Sequence, residues 1–362
     1  MEKLGVMVYR LYPNRKFWRD KRVLVTGHSG FKGSWLTLWL RSLGAKITGV
    51  SLPPNTDPSI FNLAKIDQIC HSLFCDIRDL ASLNEIIQKA DPEIIFHLAA
   101  QPLVRASYHD PLDTYSTNVM GTAHVLESLR FNTSARVAVM VTTDKVYLNR
   151  ELPIPYCEDD PLGGYDPYSA SKAASEIIIS SYRDSFLAKR GLAVASARAG
   201  NVIGGGDWSE DRLIPDAIRA WQHGEVLEIR RPNAIRPWQL VLEPLSGYLL
   251  LAQQLWENPG LAGAYNFGPE VSQAATVQAV IELARSAFGK GSVCYVEDAD
   301  DLHEAGLLTL EIAKAKEVLG AKPKLSLEQA VSLTMRWYRD QENGMDAREL
   351  CERQIEGYEG LQ

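Results

Sequence analysis

Residues 22–33 read Arg-Val-Leu-Val-Thr-Gly-His-Ser-Gly-Phe-Lys-Gly, an apolar run followed by three glycines at every third position. The apolar run is typical of a buried parallel strand, and apolar residues at helical spacing over 34–43 predict a helix that ends at Gly44. Glycines between a strand and a helix let a pyrophosphate approach the N–H groups of the helix N-terminus. The stretch therefore predicts a dinucleotide-binding turn, and the alternative is a tight turn that binds nothing.

Strands and helices alternate along the chain as far as residue 202. Further strands are predicted over 47–50, 93–100, 137–143 and 192–197, and helices over 112–130 and 167–189. This alternation is typical of an α/β fold with a Rossmann-like, doubly wound parallel sheet. Loops and short helices after residue 203 favour a smaller mixed α/β domain. We expect an N-terminal arm at 1–20, a dinucleotide-binding domain from 21–202 plus about 237–268, and a substrate domain from about 203–236 plus 269–362.

Composition narrows the class of protein. The 362 residues are 46% hydrophobic and 23% charged, as in globular proteins, and the net charge of −7 argues against general nucleic-acid binding. The five cysteines have neither metal-ligand nor redox spacing, so we expect ordinary thiols in a reducing cytoplasm and no metal site. The sequence contains no apolar run typical of a membrane span or of a signal peptide, and we expect no membrane association.

Tyr168 and Lys172 are spaced for acid–base chemistry. Asp166-Pro167 is typical of a helix start, so the two residues lie four apart on one helical face. A neighbouring ammonium stabilises a phenolate and lowers the pKa of the tyrosine, which would let it accept a proton from a sugar hydroxyl. Such a pair alone is more often part of a solvated helix face. Its position after a glycine loop and several β–α units favours the catalytic interpretation.

The strand 137–143 ends in a second polar group, Thr142-Thr143-Asp144-Lys145. The carboxyl ends of strands line the ligand crevice of a doubly wound sheet. A threonine hydroxyl there is able to hydrogen-bond a sugar oxygen, and Asp144 and Lys145 are candidates for an acid and a base. The alternative is a turn that contains an ion pair.

The second strand is less informative about the cofactor. It ends Val50-Ser51-Leu52-Pro53, with no acidic residue for a ribose 2′-hydroxyl and no arginine for a 2′-phosphate. The strand end therefore leaves NAD and NADP open. Asp76-Ile77, after a short strand at 73–75, is a candidate adenine contact, and a surface aspartate is the alternative.

Several motifs together resemble the extended short-chain dehydrogenase/reductases that act on nucleotide sugars. They are Thr26-Gly-x-x-Gly-x-x-Gly33, His97-Leu-Ala-Ala-Gln101, Asn118, Thr143-Asp144 and Tyr168-x-x-x-Lys172. Longer stretches within 27–35, 200–215 and 236–248 are similar to the CDP-glucose 4,6-dehydratases of deoxysugar (O-antigen) biosynthesis. The resemblance covers nearly the whole chain.

The resemblance implies a tightly held NAD and a three-stage reaction on CDP-glucose. Tyr168 would take the proton of the sugar 4-hydroxyl as hydride leaves C4, while Thr143 would bind the 4-oxygen and Lys172 the nicotinamide ribose. Water would then leave across C5–C6, with Asp144 as the acid, and the hydride would return to C6. Lys145 stands where dTDP-glucose relatives carry a glutamate, and it would act as the base or stabilise an enolate.

The resemblance also implies two sets of contacts. The cofactor set is Gly27, Ser29, Gly30, Phe31, Lys32, Gly33, Ser51, Asp76, Ile77, Leu98, Ala99, Ala100, Gln101, Asn118, Thr142, Tyr168 and Lys172. The substrate set is Gln101, Arg105, Asn201, Arg212, Leu213, Arg231, Arg236 and His303. Arginine suits a diphosphate because its guanidinium binds bidentately. We expect His97 to border the cofactor at a strand end rather than to act as a base, and His303 is equally consistent with a solvated loop.

Two further expectations concern assembly and the competing functions. In this family, the helices that contain Asn118 and Tyr168 build a four-helix dimer interface, which Leu126, Ile177 and Ile178 fit. Packing within one subunit is the alternative, and Trp35, Trp39 and Trp337 are predicted to lie in a core or an interface. The competing functions are a nucleotide-sugar 4-epimerase or 4-ketoreductase, and a non-catalytic NAD-binding sensor. Asp144-Lys145 favours dehydration, and the presence of Thr143, Tyr168 and Lys172 argues against a sensor.

Overall fold

The computed structural model describes residues 13–296 and 306–361, which leaves His303 and most of the predicted N-terminal arm outside it. Its strands, in chain order, are β1 (Arg22–Thr26), β2 (Lys46–Ser51), β3 (His71–Phe74), β4 (Ile94–His97), β5 (Val137–Val141), β6 (Ala193–Ala199), β7 (Val202–Ile203), β8 (Val226–Ile229), β9 (Ile235–Arg236), β10 (Gln239–Leu240), β11 (Ala264–Phe267), β12 (Ala275–Thr276) and β13 (Ser292–Tyr295).

The described helices flank these strands. They are α1 (Arg15–Trp18), α2 (Phe31–Ser42), α3 (Ile60–Leu63), α4 (Leu80–Ala90), α5 (Val104–His109), α6 (Pro111–Tyr115), α7 (Gly121–Leu129), α8 (Pro167–Tyr182), α9 (Leu213–Gln222), α10 (Leu242–Glu257), α11 (Val277–Phe288), α12 (Leu327–Glu342) and α13 (Ala347–Glu359). None of them is both long and apolar enough to cross a bilayer.

Seven strands form one parallel sheet in the order β11-β6-β5-β4-β1-β2-β3. β1 lies between β2 and β4, with Val23 paired to Ile47 on one side and to Ile94 on the other. The chain thus winds outward in both directions from β1, which confirms the predicted doubly wound sheet. In such a sheet a crevice opens at the carboxyl ends of the strands where the winding reverses.

Apolar side chains cover both faces of the sheet. Along β1, Val23 and Val25 pack into a cluster with α2 and α10, whereas Leu24 packs into a second cluster with α4 and α7. Trp35, Trp39 and Trp337 are fully buried in the first cluster, as predicted. The placement of Leu126 in a dimer interface is wrong, because its side chain is fully buried in the second cluster of the same chain.

The second half of the chain wraps around this sheet. Small strand pairs, β8 with β13 and β9 with β12, accompany α9 and α11. A capping box formed by Ser326 and Gln329 starts α12. Residues 269–362 were assigned to the substrate domain, but α13 packs on α2 of the dinucleotide-binding unit. Trp39 Nε1 donates a hydrogen bond to Glu359 at 2.8 Å, so the two units share a core at this end.

Some boundaries differ from the prediction for local reasons. α2 begins at Phe31 rather than residue 34, because the glycine turn takes up fewer residues than the motif spans. The predicted helices over 112–130 and 167–189 each contain a wider turn of π type, at Ser116–Met120 and Arg183–Leu187. Such turns keep the apolar spacing nearly helical, so the pattern alone does not reveal them.

Candidate active site

A cleft of about 650 Å³ opens at the carboxyl ends of β1, β4, β5 and β6. One wall is the turn between β1 and α2, and the floor is formed by the residues that follow β4 and β5. The opposite wall comes from residues within 199–216 and 227–238, most of which lie in the predicted substrate domain. The cleft therefore runs between the sheet and the second half of the chain.

The glycine turn is shaped by close backbone contacts. Gly27 has a φ of +76°, and a Cβ atom there would lie 2.7 Å from the Ala99 nitrogen. A Cβ atom at Gly33 would lie 2.0 Å from the Gly27 oxygen. Gly30 precedes α2 without a side-chain cap, so the first N–H groups of the helix remain available to an anion. These features fit the diphosphate of a dinucleotide.

His28, which the sequence analysis did not assign, supports this turn from behind. Its Nδ1 lies 3.0 Å from the Ser51 hydroxyl at the end of β2, and its Nε2 lies 2.6 Å from the Ser72 hydroxyl. Burial lowers the pKa of His28 to about 4, so the imidazole is neutral at neutral pH. The Ser51 hydroxyl in turn donates to Ser29 at 2.9 Å, which links the glycine turn to β2.

Most of the predicted cofactor contacts border the cleft. These are Gly27, Ser29, Gly30, Phe31, Lys32, Gly33, Ser51, Asp76, Ile77, Leu98, Ala99, Ala100, Thr142, Tyr168 and Lys172. Asp76 is also paired with Arg78 at 2.6 Å, and hydrogen bonding to that guanidinium lowers the pKa of the carboxyl.

Gln101 and Asn118 lie behind the wall of the cleft. The Asn118 amide accepts a hydrogen bond from the Gln101 N–H at 2.8 Å and donates to the Ser171 hydroxyl at 2.9 Å. The pair thus ties the segment after β4 to α8. His97 is buried below the strand end between the hydroxyls of Thr26 and Thr122, and burial lowers its pKa to about 3. It does not border the cleft, which differs from the expectation.

The five predicted catalytic residues line one region of the cleft. The Thr143 hydroxyl donates to Asp144 Oδ1 at 3.0 Å, and Lys145 Nζ lies 3.8 Å from the same oxygen. Asp144 Oδ2 is buried and has no partner in the described residues. Tyr168 and Lys172 are buried on α8, and Lys172 Nζ lies 3.5 Å from the Val141 carbonyl oxygen. The phenol of Tyr168, the ammonium of Lys172 and the carboxyl of Asp144 thus border the same region of the cleft.

Burial dominates the electrostatics of this group. It raises the pKa of Tyr168 to about 12, although the nearby Thr143 hydroxyl opposes this shift. The sequence predicted a lowered pKa for this tyrosine, and the difference arises because desolvation of a phenolate outweighs the local stabilisation. Burial also lowers the pKa of Lys172 to about 8 and that of Lys32 to about 7. Lys32, Lys172 and Arg212 interact electrostatically, so this region favours an anionic ligand.

The predicted substrate contacts are spread over the opposite wall, where Arg105, Asn201, Arg212, Leu213, Arg231 and Arg236 border the cleft. Arg212 pairs with Asp207 at 2.8 Å, and its charge lowers the pKa of Tyr168. Arg105 Nε lies 3.7 Å from Asp211, which brings the segment after β4 against the 207–213 loop. Asn201 Oδ1 is buried without a partner in the described residues.

The sequence analysis missed other residues of this wall. Tyr108, Asp207, Trp208 and Glu228 border the cleft. Asp207 and Trp208 belong to the stretch within 200–215 that carried the resemblance. The polar residues of this stretch close to Arg212 could have indicated that both residues lie at the site. Tyr108 and Glu228 come from segments without a motif, and only the fold brings them to the site.

Comparison with known proteins identifies the family. A family model described as GDP-mannose 4,6 dehydratase matches residues 24–334. The chain belongs to this family. The chain is also similar to a Salmonella typhimurium protein named CDP-glucose 4,6-dehydratase, with 43% identity over 351 residues, or 95% of this chain and 98% of that protein. The resemblance predicted from the motifs is thereby confirmed.

Other 4,6-dehydratases and proteins with a related fold are less similar to this chain in sequence. A dTDP-glucose 4,6-dehydratase of Xanthomonas campestris is 28% identical over 87% of this chain and 92% of that protein. An epimerase of Methanothermobacter thermautotrophicus superposes with a TM-score of 0.79, at 21% identity over 95% of this chain and 97% of that chain. A double mutant of the dTDP-glucose 4,6-dehydratase of Streptomyces venezuelae, solved with NAD, gives a TM-score of 0.75 at 24% identity, over 90% and 99%. These structures share the fold of this 4,6-dehydratase family member.

Proposed function

We propose that this protein is an NAD-dependent CDP-glucose 4,6-dehydratase that forms CDP-4-keto-6-deoxyglucose and water. The observation that carries the proposal is the grouping of Thr143, Asp144, Lys145, Tyr168 and Lys172 around one cleft next to the glycine turn. The relative that is 43% identical over nearly the whole chain supports the choice of CDP-glucose. The acid–base pair that follows Thr143 supports dehydration over epimerisation or simple reduction.

The first stage is oxidation at C4 of the sugar. The glycine turn would hold NAD, which would supply reversible hydride transfer when bound. Tyr168 accepts the proton of the 4-hydroxyl, and the Thr143 hydroxyl orients the same oxygen. Because burial raises the pKa of Tyr168 to about 12, its phenolate needs positive charge close by. Arg212 lowers the pKa of Tyr168, and we assign the same role to Lys172, one turn further along α8.

The second stage is loss of water across C5 and C6. The new 4-keto group acidifies the C5 proton, and elimination then needs a base at C5 and an acid at the C6 hydroxyl. Lys145 and Asp144 lie 3.8 Å apart, and transfer of one proton from the ammonium to the carboxylate yields both forms. Lys145 then accepts the C5 proton or stabilises the enolate, and Asp144 protonates the leaving hydroxyl. C6 would then take back the hydride removed from C4, and C5 a proton, so that no net oxidation or reduction occurs.

The opposite wall holds the nucleotide part of the substrate. A diphosphate carries charge that guanidinium groups bind in a bidentate manner. Arg212, Arg231 and Arg236 border the cleft from the second half of the chain, which supports their assignment to the substrate. Gln101 and Asn118 contribute indirectly, because they hold the segment after β4 in place.

We infer cytoplasmic operation and self-association as further parts of this function. All five cysteines are free thiols, which fits a reducing compartment. α6 and α8 are neighbours and expose large apolar side chains, among them Leu112 at 78% and Ile177 at 61% exposure. Exposed apolar side chains on two neighbouring helices are typical of an interface between subunits.

A substrate panel tests the proposal. CDP-glucose, dTDP-glucose, UDP-glucose and GDP-mannose are each incubated with the protein and NAD, and the products are weighed by mass spectrometry. We expect CDP-glucose to lose one water without lasting accumulation of reduced nicotinamide. Loss of water from another sugar would overturn the choice of nucleotide but keep the mechanism. An unchanged mass with inverted C4 configuration, or stoichiometric nicotinamide oxidation or reduction, would replace dehydration by epimerisation or by simple redox chemistry.

A further inference from the structure

Glu176 lies on the same helical face as the catalytic pair, one turn beyond Lys172 on α8. Its side chain and that of Arg198 are each only 4% exposed, and neither borders the cleft. The Glu176 carboxylate accepts four hydrogen bonds. Oε1 receives the Thr142 hydroxyl at 2.5 Å and Arg198 Nε at 3.0 Å, and Oε2 receives the Ser196 hydroxyl at 2.7 Å and Arg198 Nη2 at 2.9 Å.

These contacts tie three elements together directly below the site. Glu176 belongs to α8, Arg198 and Ser196 belong to β6, and Thr142 follows the end of β5. Thr142 immediately precedes Thr143, so the carboxylate sets the distance between the end of β5 and α8. That distance matters because Thr143 and Tyr168 must meet the same sugar oxygen. A loose connection here would separate the two hydroxyls.

Stability alone is a weak reason for a buried ion pair at this place. Apolar residues of similar volume often stabilise a core as well as a buried pair does, because both charges lose their hydration. Arg198 Nη1 donates to the Tyr147 hydroxyl and to the Glu158 carbonyl oxygen, each at 2.9 Å. Both carboxylate oxygens of Glu176 are therefore doubly hydrogen-bonded, and the carboxylate also interacts electrostatically with a second buried cation.

That second cation is Lys172. Within the described residues it forms no ion pair, and burial lowers its pKa to about 8, an effect that the Glu176 charge opposes. The other titratable groups near the pair lie on the surrounding elements: Lys32 on α2, His97 on β4, Asp144 and Tyr147 after β5, Arg198 on β6, and Glu158. The charge that favours the ammonium form of Lys172 is that of the Glu176 carboxylate.

We propose that Glu176 is a positioning residue for the reaction, which keeps the ammonium of Lys172 charged and fixes the end of β5 through Thr142. It touches neither substrate nor cofactor and acts through these two neighbours. The inference rests on the proposed function, because Lys172 matters only if Tyr168 removes a proton from a sugar hydroxyl.

The test compares Glu176→Gln with a matched control. Glu243 is a half-buried carboxylate, which accepts hydrogen bonds from Tyr358 and from the N–H groups of Lys324 and Leu325 away from the cleft. The pH dependence of kcat on CDP-glucose is measured for wild type, Glu176→Gln and Glu243→Gln. In the wild type, kcat should fall as pH rises through the pKa of Lys172. Because Glu176→Gln lowers that pKa further, the alkaline limb should move to lower pH by roughly one unit, with little change in KM.

A purely structural role predicts a different result. Both substitutions would then lower the melting temperature and leave the alkaline limb in place, which would overturn the proposal. Should Glu176→Gln fail to fold because Arg198 is left unpaired, Glu176→Gln with Arg198→Met removes both charges, and its pH profile decides in the same way. Absence of turnover in the wild type would instead contradict the proposed function, so the two failures are distinguishable.

Discussion

Tyr168 borders the cleft although only 8% of its surface is exposed. Its hydroxyl is the group best placed to accept the 4-hydroxyl proton, so Tyr168→Phe should lower kcat by roughly 10²- to 10⁴-fold. Binding of CDP-glucose should change little, because the ring remains in place. Stopped-flow absorbance of the reduced nicotinamide measures the first step, and calorimetry measures binding. Loss of CDP-glucose binding in a folded variant would show that Tyr168 binds the sugar and does not act as the proton acceptor.

Lys145 belongs to the later, eliminating step. Lys145→Ala should leave oxidation at C4 intact and slow water loss by roughly 10²-fold. Reduced nicotinamide should then accumulate with CDP-glucose, which absorbance and mass spectrometry detect together. Lys89→Ala is the matched control, since this exposed lysine pairs with Glu85 far from the cleft. Unchanged turnover of Lys145→Ala would remove Lys145 from the mechanism.

Among elements, the turn between β1 and α2 is the most constrained by its glycines. A Cβ atom at Gly33 would lie 2.0 Å from the Gly27 carbonyl oxygen, so Gly33→Ala must displace the turn. We expect dinucleotide binding to fall below detection by calorimetry, with a lower melting temperature. Gly357→Ala is the control, because nothing lies within 4 Å of a Cβ atom there. As an exposed helical position it should gain about 0.5–1 kcal/mol of stability. Normal binding by Gly33→Ala would place the dinucleotide elsewhere.

Some features of the helices and strands around the site were predictable from the sequence, and others were not. The spacing of Tyr168 and Lys172 fixes their common face once a helix is assumed, and the apolar run before Gly27 identifies β1. Glu176 shares that face, yet its four partners lie on β5 and β6, and their approach depends on tertiary packing. The pKa of Tyr168 was predicted with the wrong sign for a similar reason. The sequence shows which charged residues lie near Tyr168 along the helix. The loss of hydration that raises its pKa depends on all the residues packed around the phenol ring.

At the scale of the whole molecule, the two predicted units are less separate than the sequence indicated. Trp337 on α12 and Trp35 on α2 lie in one apolar cluster, and a Cβ atom at Gly205 would meet the Trp337 ring at 2.0 Å. Tyr338 also donates to the Asp207 carbonyl oxygen at 2.5 Å. The loop that carries Asp207 and reaches Arg212 is thus held by the C-terminal helices. Residues of α12, more than 100 positions after this loop in the sequence, thereby position the substrate-facing wall of the cleft.

Assembly is the last property at this scale. Leu126 packs inside the subunit, whereas Ile177 on α8 is 61% exposed and Leu112 on the neighbouring α6 is 78% exposed. A carboxylate at Ile177 would have to be buried in an interface formed by this face, which is strongly unfavourable without a partner. Ile177→Glu should therefore convert the protein to monomers in size-exclusion chromatography with light scattering. Val271→Glu, at a 44% exposed position outside these helices, should leave the mass unchanged. An unchanged mass for Ile177→Glu would place the subunit contact on another face, and dissociation by Val271→Glu would show that the effect is one of charge alone.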